Sequence, residues 1–144
     1  MSAARAQFDR LGLVIVRVLV GAVFIAHGSP KIAAAFHDPR LPAFAASLHR
    51  LGMNPGVVWA WVVTVVEFVG GICLVAGVYP RFAAALIAVE MIVAGAKVNV
   101  ARGFYWTKGG WEVPLVFAVL CAVLVLTAPR RSAHPRAIGA ARRR

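Results

Sequence analysis

Residues 56–100 read GVVWAWVVTVVEFVGGICLVAGVYPRFAAALIAVEMIVAGAKVNV. Two long apolar runs, 56–78 and 82–101, are separated only by Tyr79-Pro80-Arg81. About 20 apolar residues are what a helix needs to cross the hydrocarbon core of a bilayer. A connection this short predicts that the two helices run antiparallel, as a hairpin of membrane spans. Each run nevertheless carries a carboxylate, Glu67 in the first and Glu90 in the second.

Outward from the hairpin the same reading holds. Residues 11–36 form a first span, with Gly28-Ser29-Pro30 expected to kink it or end its regular part. Arg5 and Arg10 ahead of it give a signal-peptide look, but the apolar stretch is longer than such a segment and holds Arg17. We read it as a retained span. A polar segment, 37–55, contains Pro39, Pro42 and Pro55. Its middle, 41–51, has the spacing of a short amphipathic helix with Phe44, Leu48 and Leu51 on one face, suited to the membrane interface. After a loop with Phe104, Tyr105, Trp106, Gly109 and Gly110, a fourth span covers 111–128, with Pro114 tolerated in its first turn. The expected fold is all-α: an integral membrane four-helix bundle over 11–129, with a segment 1–10 before it and a basic tail 130–144 after it.

Composition agrees. The chain has 144 residues, 61% of them hydrophobic, and a mean hydropathy of +0.80, whereas soluble domains sit at about 45–50% apolar. The net charge of +11 is concentrated in the tail, in Arg130, Arg131, Arg136 and Arg142 to Arg144. No aromatic residues interleave these arginines, which argues against nucleic acid and for anionic lipid headgroups. An even number of spans puts both termini on one side, and the Lys and Arg excess of that side makes it cytoplasmic. Cys73 and Cys121 lie within apolar runs and form no CxxC pair. They read as small apolar packing groups, with a redox or ligand role as the alternative.

Seven ionisable groups lie in or at the rims of these spans: Arg17, His27, Lys31, Glu67, Glu90, Lys97 and Glu112. A charge at mid-bilayer costs about 2.5–3.5 kcal/mol on insertion scales, so such groups face a protein interior and mark a site. At about 1.5 Å per residue, His27, Lys31, Glu67, Lys97 and Glu112 fall in the outer half, where they make a candidate ligand-binding set. Arg17 and Glu90 lie deeper and are expected to form structural ion pairs. Glu90 and Lys97 are seven apart and nearly in line, while His27 and Lys31 share a face. His27, Glu67 and Glu90 are the candidates for proton-transfer chemistry. Each has a simpler reading too. Arg17 and Lys31 are long enough to snorkel to headgroups. Glu112 suits a helix N-terminus, Lys97 with Asn99 suits a frayed end, and Glu67 with Glu90 suits buried ion pairs. No metal-ligand spacing is present, and no haem, flavin or iron–sulfur motif is recognisable.

At these residues the chain resembles the DoxX family of small four-span membrane proteins. The resemblance rests on Arg17 followed by His27-Gly28-Ser29-Pro30-Lys31, on Glu67 with Gly70-Gly71, Gly77 and Arg81, and on Gly103-Phe104 with Glu112. It implies a four-helix bundle in the inner membrane of a bacterial cell. It also implies a link to thiosulfate oxidation coupled to quinone, or to membrane complexes of thiol and oxidative-stress defence. Relatives often carry a histidine near the end of span three, where this chain has Lys97 and Asn99.

Three functions follow as expectations. The first is a subunit of a quinone-linked oxidoreductase, with quinone as the cofactor met by His27 and Lys31. The second is a non-enzymatic membrane anchor or assembly subunit whose buried charges are structural. The third is a small-molecule or proton pathway. A protein partner or a second copy of the chain is expected in each case.

Overall fold

The computed structural model describes residues 3–37 and 40–128, which form helices joined by short turns, with no strand among them. In chain order these are α1 (Ala3–His37), α2 (Arg40–Arg50), α3 (Gly56–Ala76), α4 (Pro80–Ala94) and α5 (Glu112–Thr127). Three helical stretches, Gln7–Ala33, Gly56–Ala76 and Pro80–Arg102, are long and apolar enough to cross a membrane, and α5 is a shorter apolar helix. The tail 130–144 lies outside the described residues.

The pattern of α3 explains why it settles where it does. Ala60, Thr64, Glu67, Gly71 and Leu74 are buried, while Val58, Val62, Val65, Val69 and Ile72 are exposed. The buried set repeats at alternating intervals of four and three, the seam of helices crossing at a shallow angle. Lipid tails solvate valine as well as a protein core does, so large apolar groups turn outward and small or polar ones inward.

Close backbone approach joins α1 to α3. A Cβ built on Gly21 would lie 2.7 Å from the Gly71 carbonyl oxygen, and one on Gly71 would lie 2.7 Å from that of Gly21. Further along, a Cβ on Gly28 would meet the Phe68 backbone nitrogen at 2.7 Å. Across the bundle, α4 and α5 pack through Ala83, Ala84, Ile87, Cys121 and Leu124, which join Val20, Phe24 and Leu74 in one core cluster.

Three sequence expectations change in detail. Helix α1 continues through Pro30 to His37. Proline leaves the carbonyl four residues back, that of Ala26, without its helical donor, and the Ser29 hydroxyl donates to that carbonyl at 3.4 Å. The apolar face of α2 is Leu41, Ala45 and Leu48, whereas Leu51 follows the helix end and is exposed. That face packs with Met53 and Ala60, on α3. Finally, α4 gives way to a π turn at Gly95–Asn99 and a 3-10 turn at Val100–Arg102.

The α3–α4 hairpin forms as its sequence predicts. Gly77 closes α3 at φ 72, Val78 donates back to the Cys73 carbonyl, and Pro80 opens α4.

Gly71→Val should cost about 1–3 kcal/mol, because the two nearest atoms the new side chain would meet, the Gly21 carbonyl oxygen and the Ile25 nitrogen, are backbone and cannot rotate away. Gly12→Ala, with nothing within 4 Å of the new methyl, should be neutral or gain up to about 1 kcal/mol from helix propensity. Unfolding of the two variants in the same detergent gives the comparison.

Candidate functional site

One end of the bundle carries the start of α1 and the end of α5; the other carries the 103–111 loop. Toward the loop end, Lys31 of α1 forms an ion pair and hydrogen bond with Glu67 of α3. Glu67 is 5% exposed, so its charge depends on this partner. The Lys31 ammonium also sits 4.9 Å from the centroid of the Phe44 ring, which draws α2 onto the same point. It is the only ion pair among the described residues.

Glu90 of α4 approaches from the other side. Its carboxyl lies within interaction range of Glu67 and Lys31 and of Cys121 of α5. Its Oε2 is buried without a hydrogen-bond partner. Two carboxyls and one lysine, from α1, α3 and α4, thus lie within interaction range of one another.

A cavity of about 310 Å³ opens beside this cluster, with His27, Glu67, Asn99 and Trp106 among its lining residues. Met91, Phe117 and Phe24 add its apolar walls. Phe24 and Phe117 meet edge to face at 5.3 Å between centroids. His27 Nδ1 lies 2.9 Å from the Val23 carbonyl oxygen. A carbonyl only accepts, so Nδ1 carries the hydrogen and Nε2 is left for another partner.

The loop that roofs the cavity is tightly built. Trp111 and Glu112 donate their backbone N–H groups to the carbonyls of Gly103 and Phe104. Asn99 donates to the Gly109 carbonyl at 2.7 Å. A Cβ on Gly110 would come within 2.3 Å of the Gly103 oxygen, so the chain can close there only without a side chain.

Residues 12–100 match the DoxX family. The chain belongs to the DoxX family. No curated protein and no solved structure matches it. In this DoxX protein the matched region contains the glycine seam, Lys31, Glu67 and Glu90. The loop roof and α5, with Gly103-Phe104 and Glu112, lie beyond it.

Not all the sequence candidates gather here. Glu67 bonds Lys31 and lines the cavity with His27. Lys97 is exposed and does not line it. The π turn that contains Lys97 winds more slowly than an α-helix, which breaks the alignment with Glu90 seven residues earlier. Glu112 stands in the first turn of α5 and accepts the Trp106 backbone N–H at 2.9 Å, so it holds the loop. Arg17 and Glu90 have no ion pair among the described residues. Arg17 sits at the other end, beside Gly77, where the C-terminus of α3 concentrates negative potential.

Asn99, Trp106 and Cys121 complete the surroundings, though spacing alone did not single them out for the site. The signal that could have found Trp106 and Asn99 is the glycine-rich loop, since Gly103, Gly109 and Gly110 permit a fold-back over the bundle.

Lys31→Met should destabilise the protein by about 3 kcal/mol, the low end for breaking a buried pair, because it leaves the buried Glu67 carboxyl without its ion-pair partner. Adding Glu67→Gln should restore most of that loss. A double-mutant cycle by equilibrium unfolding reads the difference.

Proposed function

We propose that this DoxX protein is a membrane subunit of a quinone-linked oxidoreductase in the inner membrane of a bacterial cell, and that the cavity under the loop holds the quinone ring. The observation that carries the reading is the cavity of about 310 Å³, which joins an apolar wall to the polar groups of His27, Glu67 and Asn99. Sites for small cofactors are mostly apolar, with a few convergent polar groups, and start at about 300 Å³. The fit is chemical as well. A quinone, when bound, supplies two-electron redox chemistry linked to two protons.

The chain's own residues would manage those protons. His27 Nε2 would exchange one with a ring oxygen, its ring held by the Nδ1–H bond to Val23. Glu67 offers a second carboxyl at the cavity wall, and Glu90 behind it provides a further protonatable group. Lys31 holds Glu67 in place through their ion pair. Phe24 and Phe117 would give the ring an apolar wall. A partner subunit would deliver the electrons.

A second reading treats the chain as an anchor or assembly subunit. It is favoured by one observation, that Lys31 and Glu67 satisfy each other without a ligand.

Native mass spectrometry of the detergent-purified protein, with extracted quinones identified alongside, separates the two. A stoichiometric quinone that is lost in His27→Ala, and weakened by about tenfold in Glu67→Gln while the protein still accumulates, is the expected outcome. A co-purifying subunit with no quinone bound, before or after adding ubiquinone and menaquinone, would favour the anchor.

A further inference from the structure

The opposite end of the bundle holds a second cavity, of about 600 Å³, between the start of α1, the start of α4 and the end of α5. Its α1 wall is Arg10, Leu13, Val14 and Arg17, spaced three, four and seven residues apart, so one helix face presents two cations with apolar groups between them. Leu124 and Pro80 continue the apolar surface. Among the described residues, no carboxylate lines the cavity. Arg17 has its Nε buried without a hydrogen-bond partner.

A cavity with apolar walls, two guanidinium groups and no acid is complementary to an amphiphile with an anionic head. Guanidinium and phosphate match in geometry as well as charge, two N–H groups meeting two oxygens. The chain's own tail does not fit, because residues 130–144 carry six arginines and no acid and would meet the cavity's cations with like charge. We infer that this cavity binds one anionic phospholipid, its phosphate held between Arg10 and Arg17 and an acyl chain along Leu13, Val14 and Leu124. The lipid would supply the anion that Arg17 lacks within the protein and would fill the gap between α1 and α5. This site is independent of the quinone reading, since it shares no residue with the cavity at the loop end.

The test is native mass spectrometry of the full chain in a neutral detergent, titrated with phosphatidylglycerol and separately with phosphatidylcholine. One phosphatidylglycerol should bind about tenfold more tightly than phosphatidylcholine. Arg10 is exposed, so Arg10→Gln should fold normally and weaken phosphatidylglycerol by about tenfold, the factor that one charge-assisted hydrogen bond supplies. Arg81→Gln removes the same charge at the same end but outside the cavity and should leave binding unchanged. Equal weakening by both variants would mean diffuse attraction to a basic surface and would overturn the site. Equal binding of the two lipids would do the same. Displacement of the lipid by millimolar inorganic phosphate, with a phosphate adduct in its place, would overturn the lipid in favour of a free anion.

Discussion

The pairing of Lys31 with Glu67 across the α1–α3 seam is the contact on which the loop end of this bundle depends. A buried carboxylate within a membrane protein is costly unless it is paired. Lys31 reaches it only because Gly21, Gly28 and Gly71 let the two backbones come into contact. The seam and the ion pair therefore support each other: small residues bring the charges within reach, and the charges fix the register of the seam. The same ammonium lies against Phe44, so α2 is set by it as well.

A purely structural ion pair would end there. Here a second carboxyl, Glu90, sits against the pair with one oxygen unpartnered, and a cavity with a histidine in its wall adjoins it. Two acids and one lysine cannot all be charged without a net negative excess in a low-dielectric space. A bundle built only for stability gains nothing from Glu90, for which an apolar residue of similar volume would pack as well. The extra acid suits a group that takes up and releases protons, which is why we favour redox chemistry over anchoring.

The two ends of the molecule differ in chemistry. The loop end combines acids, a histidine and aromatic walls beneath a folded lid. The other end presents Arg10 and Arg17 around a cavity with no carboxylate among its described lining residues, along with the C-terminus of α3. Between them lies the apolar cluster of Val20, Phe24, Leu74, Ile87 and Cys121, which separates the two cavities. A ligand at one end and a lipid at the other would thus act on the same helix, α1, from opposite ends.

How much of this was legible in the sequence follows from the range of each interaction. Apolar run length, the Tyr79-Pro80-Arg81 turn and the charges in mid-span are local, and by themselves they determined an all-α membrane bundle, the α3–α4 hairpin and the importance of Glu67 and Glu90. Membership in the DoxX family was legible in Lys31, Glu67 and the glycines around them. Only the tertiary structure decided which charges meet. Lys97 left the site because a π turn, which no residue type announces, shifted its face. Glu112 went to the loop because its nearest donor is a backbone N–H six residues earlier. Asn99 and Trp106 entered because the loop folds back over the bundle, which depends on contacts between segments. Depth in a membrane can be counted along a helix; azimuth across a bundle depends on how neighbouring helices pack, and periodicity in one helix does not contain it.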